Sequence, residues 1–174
     1  MVRQIISIFL FLICFSANAQ QYLAKDGTIS FFSKAPVEDI SAINNKVSAV
    51  YDAKTKELVF QLNITDFIFP RSLMQTHFNE NYLESDIYPK STFVGKVTEN
   101  KNGIASVEGK LTIHGETNFI NVVGNLLVHE NTVYISAVKF IVKLEDYKIK
   151  IPRIVMYNIA KEIEIKVNIK LQKQ

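Results

Sequence analysis

A stretch near the end of the chain, EIEIKVNIKL, alternates without interruption: Ile163, Ile165, Val167, Ile169 and Leu171 fall on one side, and Glu162, Glu164, Lys166, Asn168 and Lys170 on the other. A period of two is that of an extended strand, in which successive side chains leave opposite faces. With one face oily and the other charged, the strand belongs to a sheet that packs on one side and meets water on the other. Antiparallel sheets have this one-sided burial, whereas parallel sheets are covered on both faces.

ELVFQLNIT repeats the pattern, setting Leu58, Phe60, Leu62 and Ile64 against Val59, Gln61, Asn63 and Thr65. Further strands are predicted over 46–51, 91–98, 104–114, 116–128 and 132–142, with GTISFFS ahead of them all. The breaks DAKTK, ENKNG, HG and HEN carry the residue types of hairpin turns. Roughly eight strands at this spacing predict one all-β domain, an up-and-down barrel or a sandwich. Two segments leave the rhythm. APVEDISAI (35–43) forms a short helix with Pro36 in its first turn or a loop. LMQTHFNENYLES (73–85) repeats apolar and aromatic residues at helical spacing and ends before Pro89, which disfavours helical geometry at Tyr88.

The other end of the chain has different chemistry. Arg3 precedes an apolar run over 5–15 and then SANAQ, where Ala17 and Ala19 make the small-x-small pattern of a secretory cleavage site. The run is about 11 residues, short of the roughly 20 that cross a bilayer as a helix. Residues 1–19 are therefore expected to be a removed signal peptide, leaving 20–174 as one domain. The single cysteine, Cys14, lies inside the leader, so that domain holds neither disulfide nor thiolate ligand. Its stability must come from a core, for which 48% hydrophobic residues with 12 Phe and 7 Tyr are ample. The net charge of +3 is spread along the chain, which does not suggest nucleic acid.

FPRSLMQTHFNENYLESDIYPKSTFVGKV followed by VEGKLTIHGET resembles the YceI-like family of secreted lipid-binding proteins. The matching residues include Leu73, Met74, His77, Phe78, Asn81 and Tyr82, then Tyr88, Pro89, Phe93 and Gly95, then Gly109, Leu111, His114 and Gly115, in an order that extends over 26–171. The resemblance implies an eight-stranded antiparallel lipocalin-like barrel with one or two short helices, whose apolar lumen holds a polyisoprenoid or a similar long amphiphile. It also implies a periplasmic or secreted location. SFFSKAPVEDISAINNKV departs from the usual family pattern, which places a different barrel mouth in that region.

Within such a barrel the inward positions are the candidate ligand contacts: Phe60 and Leu62 on one strand, Phe93 on the next, Leu111 and Ile113, Phe140, and Ile163 with Ile165. Alternation tells which way they face, and eight strands enclose a lumen that side chains can fill or that holds one ligand. In the 73–85 segment, Phe78 and Tyr82 share a helical face suited to closing the barrel, with His77, Asn81 and Tyr82 as polar positions near it and Asn79 and Glu80 toward water. His77 also forms an HxxE pair with Glu80, half of a carboxylate-histidine metal site without its second half. His114 and His129 sit at predicted turns beside Glu116 and Glu130, short of the three or four ligands that zinc needs. No metal and no cofactor is expected. Asp66, Asp86 and Glu80 could converge in space, but no nucleophile motif accompanies them, so no enzyme is expected.

Three functions compete with catalysis. The leading one is a carrier or scavenger of a long-chain isoprenoid or fatty lipid, driven by hydrocarbon burial. A second is an envelope surface-interaction module with a filled core and no ligand. A third, an outer-membrane barrel, would turn the oily faces outward and line the lumen with Glu and Lys; the helical segment and the polar end LQKQ argue against stable membrane insertion. A homodimer is compatible with all of these.

Overall fold

The computed structural model describes residues 20–34, 39–150 and 160–174. Among them eight strands follow one another: β1 (Gln21–Ser33), β2 (Ile40–Asp52), β3 (Glu57–Asn63), β4 (Lys90–Lys101), β5 (Ile104–Ile113), β6 (Glu116–Val128), β7 (Thr132–Lys143) and β8 (Glu162–Lys173). Each pairs antiparallel with its neighbour and β1 pairs back with β8, so the sheet closes into a barrel. The faces are those the alternation requires. Val167, Ile169 and Leu171 of β8 are buried, while Lys166, Asn168 and Lys170 are exposed.

The two ends of the barrel are built differently. One end carries the hairpin turns at 53–56, 102–103 and 129–131, together with Gln20 and Gln174; the Gln174 amide donates to the Gln21 carbonyl at 3.0 Å. Asn102 and Gly103 both have positive φ, 52° and 84°, as a two-residue turn twisted to match its strands demands. The other end carries the His114-Gly115 hairpin and the long β3–β4 connection. That connection makes a single 3₁₀ turn (Ile64–Asp66), an α-helix, α1 (Ser72–His77), and a wider π turn (Phe78–Tyr82), in which the Leu83 amide reaches back to the Phe78 carbonyl at 2.9 Å. So short a helix is not stable alone. It is fixed by Met74, Phe78 and Tyr82, which pack on the barrel core, and by Ile68, whose amide and carbonyl bond to those of Ile43 at 2.8 and 3.1 Å.

Several expectations need correction. The predicted helix of 73–85 is a six-residue α-helix continued by the π turn, because the extra residue lets both Phe78 and Leu83 face the barrel. In the segment 35–43, residues 35–38 lie outside the described residues and Ile40–Ile43 is strand, not helix. β1 and β2 each begin about six residues earlier than predicted, since their extra inward positions are Tyr22, Ala24, Ala42 and Asn44, too small or too polar to show alternation. The expected leader, 1–19, lies outside the described residues.

Candidate functional site

At the tight-turn end the barrel is filled. Tyr22 and Tyr51 stack at a tilt, 6.4 Å between centroids, and the Tyr22 hydroxyl donates to the carbonyls of His129 and Glu130 at 3.2 and 3.3 Å. Val47, Val133 and Leu171 have no exposed surface there. From this floor toward the helical end the inward side chains no longer meet. They enclose a cavity of about 240 Å³, larger than the roughly 150 Å³ apolar cavities known to admit a benzene-sized guest.

Small inward residues shape the wall. Gly95 and Gly109 face each other across β4 and β5, and the ring of Phe93 lies over both; a Cβ at Gly109 would stand 2.5 Å from the Gly95 Cα and the Val94 carbonyl. Ala105 and Gly124 do the same deeper in the lumen. All of the inward strand positions named from the sequence, Phe60, Leu62, Phe93, Leu111, Ile113, Phe140, Ile163 and Ile165, line this cavity, as do Phe78 and Tyr82 from the helical connection. His77 and Asn81 do not: both are exposed, on the side of the connection that faces away from the barrel. Asn79, expected toward water, is half-buried.

At the helical end stands an aromatic cluster that the sequence reading missed. Phe31 of β1 meets Phe67, Phe69 and Phe78 with centroids 5.5, 5.7 and 5.5 Å apart, and Phe78 stands 5.5 and 4.9 Å from Phe67 and Phe69. Such edge and offset contacts are the favourable aromatic geometries. The signal was present as DFIFP, where Phe67 and Phe69 keep period two beyond the end of β3.

Among the described residues no Asp, Glu, Lys, Arg or His lines the cavity. The polar side chains at its wall are few. Ser91 donates from its hydroxyl to the Thr112 carbonyl at 2.8 Å, whereas the Ser33 hydroxyl, on a residue 1% exposed, has no hydrogen-bond partner. Desolvation at the lumen wall pushes the Tyr82 phenol above its ordinary value.

His114 and His129 make contacts within the scaffold. His114 bonds through Nε2 to the Glu84 carboxylate at 2.7 Å and through Nδ1 to the Tyr147 carbonyl at 3.1 Å, with the Tyr88 ring edge-on at 4.5 Å. It thus clasps the β5–β6 hairpin to the helical connection on one side and to the turn after β7 on the other. His129 lies against the ring of Tyr134. Among the described residues no three His, Cys, Asp or Glu side chains gather as metal ligands would. Asp66 takes bonds from Lys46 and Asn63, both at 2.9 Å, and Glu80 and Asp86 are exposed, so these carboxylates do not converge at the cavity.

The YceI-like domain is matched over residues 21–171. Among solved structures, BcnA of Burkholderia cenocepacia superposes with a TM-score of 0.73 at 17% identity, covering 83% of this chain and 95% of that one. A polyisoprenoid binding domain from Saccharophagus degradans, implicated in plant cell wall breakdown, gives 0.76 at 11% identity over 90% and 99%. The YCEI protein of Campylobacter jejuni gives 0.66 at 17% over 81% and 88%. At such identities the likeness is one of fold. Among curated proteins no match is found.

Proposed function

Since the chain belongs to the YceI-like family, we propose that it is a carrier or scavenger that encloses one polyisoprenoid or other long-chain lipid in its barrel. The observation that carries this reading is a lumen of about 240 Å³ with no Asp, Glu, Lys, Arg or His among the described residues of its wall. Water gains little there, while a hydrocarbon tail gains about 0.8 kcal/mol for each CH₂ buried, before the cost of ordering it. The polyisoprenoid-binding relative supports the same ligand class. The surface-module alternative called for a filled core, and the hollow lumen weighs against it.

The leader pattern at Arg3 to Ala19 supports export, and we place the working protein in the periplasm or outside the cell, acting without a covalent step. The outer-membrane reading would need a polar lumen and an oily exterior; the apolar lumen and the outward Lys and Glu of β8 support the opposite arrangement. Organic extraction and native mass spectrometry of the purified protein test the proposal. A lipid bound at one per barrel is expected; a protein that stays empty after incubation with prenols and fatty alcohols would refute it.

A further inference from the structure

Among the described residues of the cavity wall, one fully buried side-chain polar atom is left without a partner. Ser33 closes β1 on the inward face it shares with Ile29 and Phe31, at the helical end of the lumen. It is 1% exposed, and its Oγ makes no hydrogen bond. A hydroxyl placed where neither water nor protein satisfies it costs stability, and native interiors rarely leave one so. An alanine at this position would avoid the cost. Ser33 therefore marks a place where no described residue completes the hydrogen bond and a ligand can.

The chemistry of that missing partner is bounded by the rest of the wall. Among the described residues the lining holds no cationic side chain to pair a buried phosphate or carboxylate and no anionic one to pair a buried ammonium. A serine hydroxyl both donates and accepts, so it serves a carbonyl or an alcohol equally. Resting on the carrier reading, we propose that Ser33 Oγ is the polar subsite of the lumen and that it selects a ligand bearing a single uncharged oxygen function, an alcohol, ketone or ester carbonyl, on an otherwise hydrocarbon chain. The aromatic cluster of Phe31, Phe67, Phe69 and Phe78 at the same end shields this bond from water.

Three probes of equal chain length separate the terms: dodecane, 1-dodecanol and dodecyl phosphate, each competing with an apolar naphthylamine dye for the wild-type protein and for Ser33→Ala. For the wild type, 1-dodecanol is expected to displace the dye at a concentration about five- to tenfold below that of dodecane, the worth of one hydrogen bond. Ser33→Ala should erase that advantage and leave dodecane unchanged, and dodecyl phosphate should never surpass the alcohol. An alcohol preference that survives in Ser33→Ala, or a phosphate ester that binds best, overturns the subsite while leaving the carrier standing. Failure of the dye and of all three probes to bind the wild type overturns the carrier itself. Without ligand, Ser33→Ala should melt at the same temperature or higher; a lower midpoint, or a variant that does not fold, means that the hydroxyl has a protein partner and overturns the inference.

Discussion

Individual residues set how the wall of the lumen packs. Gly109 faces Gly95 under the Phe93 ring, so Gly109→Ala drives a methyl into backbone; overpacking of this kind costs about 1–3 kcal/mol, which urea unfolding will read. Phe60→Asp places an unpaired charge at the wall of the cavity and is expected to abolish lipid loading and lower stability, as mass spectrometry and thermal melts will report. His77→Gln, at an exposed position off the wall, should leave loading unchanged. Acid sensitivity also has a residue address. The bond from Lys46, and next that from Asn63, holds the Asp66 carboxyl below the usual carboxylate range. Its contribution is therefore full above about pH 4 and lost as pH falls through the lowered folded value; Asp66→Asn should flatten the acid limb of a stability-versus-pH curve. At this scale the sequence was legible wherever an inward residue is large and apolar, and silent elsewhere. Asn44, fully buried, spends its Nδ2 on the Asn63 carbonyl and its Oδ1 on the Lys46 amide, and an alternation that runs through such a residue reads as broken.

Among the elements, six of the strands were readable within a few residues, and β1 and β2 from their apolar halves onward. The helical connection was readable as helical and as a cover for the barrel; its change from α to π was not, because one extra residue in a turn is chosen by what lies beneath it, not by local preference. The clasp at His114 was not legible either. Its partners, Glu84 and Tyr147, stand 30 and 33 residues away in sequence, and only the closed barrel brings them together. Replacing His114 by Phe keeps the bulk against Tyr88 and removes both bonds. We expect a loss of about 1–3 kcal/mol and faster amide exchange at Leu83, Ser85 and Tyr88, whose hydrogen bonds hold the exit of the connection, with the strands little affected.

For the whole molecule, the polarity of the barrel follows from where its connections lie. Short hairpins seal one end and the long β3–β4 connection lies at the other, so the cavity runs as a tube from a floor at Tyr22 and Tyr51 toward the helical end. Ala105→Leu, near that floor, is expected to shorten the tube: the longest chains should bind more weakly while shorter ones hold, read as loading against chain length. That the lumen is hollow could not be read from period two, which gives direction and not distance across the axis; the family resemblance supplied that expectation. The pairing of β1 with β8 has one more consequence. A chain that emerges from the ribosome first residue first cannot complete its hydrogen-bonded ring until the last strand has been synthesised. Contacts of such long sequence separation form slowly, so the nascent polypeptide stays open for as long as its translation lasts, the condition in which a thread can still be drawn through a narrow translocation pore.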